Sequence, residues 1–391
     1  MLSDKPLNIK QEYINLYTGA TKEEVITVKV DNGKQFEWSL NKSGIVEITE
    51  SSKNKFTVTG LKSGTVKLTV KGDGYKDTCN ITCVAKWQNF ETATAKSAIK
   101  VMGSPGKYYD NAKTIPEGAV MTAKGNVSGE KKYIFVTSGD IAGHIKLSDF
   151  PGIDYVMTQH HYYDQGYKLR FDDDGDKIYE YAAVLDDVMM ANFNLKIYSY
   201  VNPYTSVADE CKIKSYDSVK RNNLASSCPQ TSGHISGSCL TTKNLRNNLK
   251  SNFGDGSGST SKVAWTGHIM KYHESDRSNA TVGMGTIIIT PYARVSSDDF
   301  SNFPSSTIKE ESIYTLVHET GHQFGLHDHY CANDKDDNGG VCSNKYCSDC
   351  NGEPIPYGCL MFKRQTINNS TLTKLYCDDC KEDIQNCIED F

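Results

Sequence analysis

Apolar and polar residues alternate along the first third of the chain. Phe36-Glu37-Trp38-Ser39-Leu40, Val46-Glu47-Ile48, Phe56-Thr57-Val58-Thr59-Gly60-Leu61, Thr65-Val66-Lys67-Leu68-Thr69-Val70 and Asn80-Ile81-Thr82-Cys83-Val84 each turn one apolar face inward. Short strands of this kind, separated by turns, predict two stacked sheets over residues 1–86. The alternation resumes in 98–102, 106–109, 115–120, 133–137 and 143–150, about five short strands and the size of a small barrel, which sets a second β domain at 87–151. Past Pro151-Gly152 the period changes. Residues 178–190 are helical by spacing, 195–201, 263–270 and 284–290 are strands, and a third domain is expected over 152–391.

That third domain carries the chemistry. The stretch His318-Glu319-Thr320-Gly321-His322-Gln323-Phe324-Gly325-Leu326-His327-Asp328 reads H-E-x-x-H-x-x-G-x-x-D. Two histidines four apart on a helix project from one face, where both imidazoles can reach one Zn²⁺. Glu319, beside the first, is placed to take a proton from a water activated there. Gly325 can turn the chain back in a left-handed conformation and bring a third ligand round to the same metal. Upstream, Thr307-Ile308-Lys309-Glu310 fits a capping box, and Ile313, Leu316, Val317 and Phe324 space an apolar face. A helix of about 17 residues beginning near Thr307 is predicted.

This pattern resembles the metzincin zinc peptidases, whose signature is H-E-x-x-H-x-x-G-x-x-H followed by a methionine-containing turn. The resemblance implies His318 and His322 as metal ligands, Glu319 as general base, Gly325 as the turn glycine and Asp328 in the third-ligand position. Asp in place of His departs from the pattern, and His327 and His329 flank it as alternatives. The methionine of the turn is expected to be Met361, in Tyr357-Gly358-Cys359-Leu360-Met361-Phe362. The implied fold is multidomain: two small all-β domains, an Ig-like sandwich and an SH3-like barrel, followed by an α+β metzincin-like catalytic domain with a Cys-rich C-terminal segment. Residues 1–86 are similar to a bacterial immunoglobulin-like domain of the second type. Residues 87–151 resemble a bacterial SH3 domain, with His144 where that family often carries Trp. Such modules commonly bind cell-wall peptides, and Tyr108, Tyr109 and Tyr133 are the groove candidates.

Composition narrows the surroundings. The net charge of −5 supplies no basic field for nucleic acid. No run of 18 apolar residues occurs, so no membrane span is expected, and Met1-Leu2-Ser3-Asp4-Lys5-Pro6 lacks the apolar core of a signal peptide. Eight of the thirteen cysteines (Cys331, Cys342, Cys347, Cys350, Cys359, Cys377, Cys380 and Cys387) lie in the last 61 residues, a density that means cross-links or metal. Cys347-x-x-Cys350 with Cys377-x-x-Cys380 has four-thiolate zinc spacing, and Cys359-x-Met361 followed by C-x-x-C resembles the archaemetzincin branch, with a second zinc near the Met-turn. Ser348-Asp349 and Asp378-Asp379 place acids inside those pairs. Negative neighbours oppose a thiolate cluster and leave a disulfide unaffected, so disulfides are favoured. Cys79 and Cys83, about 13 Å apart along one strand, cannot pair with each other. Two acidic stretches, Asp334-x-Asp336-x-Asn338-Gly339 and Asp172-Asp173-Asp174-Gly175-Asp176, are candidate Ca²⁺ loops, the first lacking Glu at position 12.

The expected function is that of a secreted or cell-surface zinc endopeptidase acting on protein or peptide substrates, with the backbone near Gly283-Met284-Gly285 as the rim of its cleft. The alternative is a non-catalytic wall-binding or adhesive surface protein with a structural metal domain.

Overall fold

Alternation along the N-terminal part folds, in the computed structural model of the chain, into β1 (Leu7–Ile9), β2 (Tyr13–Tyr17), β3 (Thr21–Val30), β4 (Glu37–Leu40), β5 (Val46–Ser52), β6 (Lys55–Gly60), β7 (Gly64–Gly72), β8 (Tyr75–Thr94), β9 (Ile99–Ser104), β10 (Lys107–Ile115), β11 (Val120–Asn126), β12 (Tyr133–Ser138) and β13 (Ile141–Lys146). The structure describes residues 7–30, 35–52, 54–72, 74–163, 179–206, 260–265, 279–280, 286–289, 305–326, 359–361, 367 and 372–390. These fall into two compact units, residues 1–154 and 155–391.

In the first unit a four-stranded sheet runs β1-β3-β6-β5 and a nine-stranded one runs β10-β9-β13-β12-β11-β8-β7-β4, with β2 joined parallel to β8. Alternation decides which side chains are inside: Phe56 and Val58 of β6, Val66, Leu68 and Val70 of β7, and Cys79, Ile81 and Cys83 of β8 share one buried core with Leu7, Ile9, Ile26 and Val28. Cys79 and Cys83 are both free thiols, and burial pushes their pKa values up to about 12 and about 11.

Twenty-residue β8 spans the position at which the sequence reading divides the two β domains. Its first half pairs with β7 and β2, its second half with β11 from Val120↔Thr94 to Asn126↔Ala85. Position 86 therefore lies inside a continuous strand. Lys86-Trp87-Gln88-Asn89-Phe90 contains no glycine or proline to interrupt it, and Trp87 is buried with its Nε1–H donating to Asn126 Oδ1 at 3.0 Å.

His144 of β13 is fully buried. Its Nε2–H donates to Asn15 Oδ1 at 3.0 Å, and Asn15 Nδ2 donates to Gly103 O at 2.9 Å. Burial pulls its pKa down to about 3, far below the ordinary 6.5, because the charged imidazolium would be desolvated. The unfolded chain binds this proton first, so the stability is complete above about pH 6.5 and is lost as pH falls toward 3, at up to about 1.4 kcal/mol per pH unit. The urea midpoint of the intact protein is expected to fall from pH 7 to pH 4 and to fall less in His144→Gln. An equally steep acid limb in that variant would assign the loss to other groups.

The second unit holds a five-stranded sheet ordered β15-β14-β16-β18-β17, built from β14 (Tyr155–Tyr163), β15 (Leu195–Ser206), β16 (Thr260–Trp265), β17 (Asn279–Ala280) and β18 (Thr286–Ile289). Its first four strands are parallel, and β17 closes one edge antiparallel to β18. Three helices are described in this unit: α1 (Tyr179–Phe193), α2 (Ser305–Gln323) and α3 (Asp378–Glu389). Helix α1 contributes Leu185, Val188, Met189 and Phe193 to a core that α2 enters with Leu316 and Val317, and α3 with Cys380, Ile384 and Ile388. Asp186 of α1 ties this layer to β15 through a buried ion pair with Lys196 and by accepting from Ile197 N–H at 3.0 Å.

The expected fold class is corrected accordingly. Among the described residues β dominates, 53% strand against 20% helix, and no α+β metzincin-like domain is evident. The H-E-x-x-H string dictates one helix and its turn; how many strands surround that helix is set by long-range pairing that a local motif does not encode.

Candidate metal centre

Helix α2 begins at Ser305, two residues before the expected cap, and carries its apolar face as spaced: Leu316, Val317 and Phe324 are buried, with Ile313 packed against the same core. The opposite consequence of that burial is that His318, Glu319 and His322 are carried inside too, at 7%, 5% and 8% exposure. Buried polar groups of this kind need partners or a ligand.

Both imidazoles are oriented by main-chain carbonyls. His318 Nδ1–H donates to Leu360 O at 3.2 Å, and His322 Nδ1–H donates to Leu326 O at 2.8 Å. A carbonyl can only accept, so the proton of each neutral ring sits on Nδ1 and the lone pair on Nε2. The ring centroids are 4.9 Å apart and nearly perpendicular. Two lone pairs fixed in this way, on adjacent turns of one helix face, fit a Zn²⁺ ion.

The helix ends as its glycine predicts. Gly325 has φ +92°, its N–H donates to His322 O at 3.1 Å, and Leu326 N–H reaches back to Gly321 O at 3.2 Å. This pair of bonds is a Schellman motif, and the same turn that reverses the chain presents Leu326 O to His322. Beneath the helix lies Met361. A Cβ added to Gly321 would come within 2.8 Å of Met361 Sδ, so the absence of a side chain lets the methionine lie against the ligand-bearing turn.

Three cysteines gather beside this methionine. The sulfurs of Cys359, Cys377 and Cys380 all lie within 4.8 Å of one another, with Cys359 and Cys380 buried and 3.6 Å apart. All three are free thiols, as is Cys387. The disulfides favoured from the flanking acids are therefore not formed at these positions. Hydrogen bonding within the cluster, from Cys377 and Cys380, holds the pKa of Cys359 well below the usual thiol value and leaves those of Cys377 and Cys380 above it. A pre-assembled group of sulfurs with one member readily ionised suits a soft cation such as Zn²⁺.

No known protein-family model matches the chain, and no curated protein does. Among solved structures, a zinc-dependent peptidase from Methanocorpusculum labreanum aligns over 58% of this chain and 99% of its own, at 13% identity and TM-score 0.27. Domains 5–6 of the S-layer protein SbsC align over 36% of this chain and 96% of theirs, at 13% identity and TM-score 0.19. The Yersinia pseudotuberculosis adhesin InvE aligns over 36% and 57%, at 13% identity and TM-score 0.15.

Of the residues singled out from the sequence, the structure brings together His318, Glu319, His322, Gly325 and Met361. Asp328, His327 and His329 lie outside the described residues, as do the cleft-rim segment 283–285, both candidate Ca²⁺ loops and Cys331, Cys342, Cys347 and Cys350. In the first unit Tyr108 is exposed, Tyr109 packs edge-on against Tyr13 with ring centroids 5.1 Å apart, and Tyr133 is half-buried on β12. Sequence reasoning missed the supporting residues. Tyr314 stacks on His318 at 5.6 Å, Tyr376 Oη donates to Val317 O at 3.1 Å, and Gln159 of β14 donates to Thr320 Oγ1 at 3.4 Å. Only Tyr314, four residues before His318 and so on the same helix face, left a signal in the spacing.

Proposed function

We propose that the chain is a zinc-dependent peptidase that hydrolyses peptide bonds in protein or peptide substrates, with His318, His322 and Asp328 as metal ligands and Glu319 as general base. The observation that carries this reading is the pair of Nδ1–H bonds to Leu360 O and Leu326 O, which puts the lone pair of each ring on Nε2, the atom that ligates a metal in this tautomer. Zinc, when bound, supplies Lewis acidity to the scissile carbonyl and to water. Glu319, buried in the same turn, takes the proton of the attacking water and returns it to the leaving amine. Its neighbours exclude bulk water, which strengthens each of these interactions.

A second zinc, structural in role, is assigned to Cys359, Cys377 and Cys380. Location outside the cell or at its surface belongs to the same proposal. No helix among the described residues is long and apolar enough to cross a membrane.

Metal content and cleavage of a mixed-sequence peptide library, before and after chelation, test the reading against a wall-binding or adhesive role. Cleavage that disappears with the metal and returns with added Zn²⁺ is expected. Metal-loaded protein that cleaves nothing, while retaining affinity for cell-wall fragments through Tyr108, Tyr109 or Tyr133, would favour the adhesive role.

A further inference from the structure

The catalytic steps above leave the three sulfurs unused, yet a single peptide separates them from the support of a ligand. That peptide is Leu360. Its N–H donates to Leu375 O at 2.6 Å, two residues before Cys377, while its C=O accepts from His318 Nδ1 at 3.2 Å and from Tyr314 Oη at 3.5 Å. Cys359 on one side gives its sulfur to the cluster, and Met361 on the other lies against Gly321 of α2. Tyr376, next to Cys377, bonds to the carbonyl of Val317, the residue before His318. Cys359, Leu360, Met361, Leu375, Tyr376 and Cys380 are all buried, so a shift at the sulfurs has no solvent gap in which to dissipate.

We infer that a metal held by Cys359, Cys377 and Cys380 sets the orientation of His318 through the Leu360 carbonyl, so that filling the sulfur site raises the metal affinity of the histidine site. The inference rests on the peptidase reading only for the identity of the histidine site. Tetrahedral Zn–S bonds of about 2.3 Å place sulfurs about 3.8 Å apart. Cys359 and Cys380, at 3.6 Å, are already at that spacing. Without a cation the sulfurs are joined only by weak S–H bonds, and the turn that presents Leu360 O is correspondingly less constrained. With one, three covalently anchored points hold it. Changes to the partner of a ligating histidine typically alter metal affinity about 10–100-fold, and the three cysteines are positioning residues in that sense.

Titration of the full-length apo-protein with Co²⁺ reads both sites. A sulfur-to-cobalt charge-transfer band in the near ultraviolet reports the cysteines, and the visible band that His318→Ala abolishes reports the histidines. In the wild type the sulfur band is expected to rise before or together with the histidine band. Cys380→Ser is expected to lose the sulfur band and to weaken the histidine site by about tenfold or more. Ile388→Ala, on the same helix α3 but outside the sulfur cluster, creates a buried cavity and is expected to lower the melting temperature while leaving the histidine-site affinity unchanged. The coupling is overturned if no sulfur band forms, if the histidine band saturates first, if Cys380→Ser stays within about twofold of wild type, or if Ile388→Ala weakens the histidine site as much as Cys380→Ser does. Should Cys380→Ser fail to fold, the order of filling in the wild type still decides. A protein that fills both sites in the expected order and cleaves no peptide would sink the peptidase reading and leave the coupling standing.

Discussion

Replacing Glu319 by Gln is expected to leave zinc content at the wild-type level and to lower kcat/KM on a fluorogenic peptide by more than the ~10²–10⁴-fold typical of a lost general base. The carboxylate is assigned to chemistry and not to metal binding, so the two readouts separate. Its place in the buried turn between His318 and His322 makes the substitution informative. Gln has the same shape and carries no charge, so the folded helix loses nothing that burial had made expensive. The loss exceeds that of an ordinary acid–base residue because one group serves twice, accepting the proton of the water and delivering it to the amine. Activity within tenfold of wild type would remove Glu319 from the mechanism.

The second large effect concerns the third ligand. Asp328→Ala is expected to reduce zinc stoichiometry far more than His327→Ala or His329→Ala, and Asp328→His is expected to retain metal. The spacing of ten residues from His318 to Asp328 equals that of the third ligand in the metzincin signature. The turn that starts this return path is in place, with Gly325 at φ +92° and closed by the Leu326 N–H bond to Gly321 O. Removing one of three protein ligands leaves two imidazoles completed by water, a much weaker site. Zinc measured on the four purified variants decides it: loss of metal in the His327 or His329 variant, with Asp328→Ala still loaded, would reassign the ligand.

Much of the centre was legible because its determinants are local. A histidine pair at i and i+4, an apolar face at Leu316, Val317 and Phe324, and a glycine three residues after the second histidine each act within a turn or two of helix, where spacing translates directly into geometry. Met361 was legible by its position after the helix, and it lies against Gly321. The cysteines were not, since pairing among eight candidates depends on which segments approach, and flanking charge is a weak guide to that. Acids at Asp378 and Asp379 sit in the first turn of α3, where they favour the helix N-terminus and need not oppose the sulfurs.

By itself, then, the sequence determined the short-range features: the alternating strands that bury one face, the ligand-bearing helix, and its glycine stop. Each follows from a period of two or of 3.6 residues, or from the conformational freedom of one residue. Tertiary structure alone decided that β8 would run unbroken through position 86, because beyond its hairpin with β7 the strand takes its hydrogen bonds from β2 and β11, residues well away in the chain. It also decided that Leu360 would carry a carbonyl to His318, 42 residues away in sequence, and that Cys359, Cys377 and Cys380 would meet behind it. A backbone carbonyl has the same chemistry at every residue, so nothing in the identity of Leu360 announces its role; only the packing of the chain selects it.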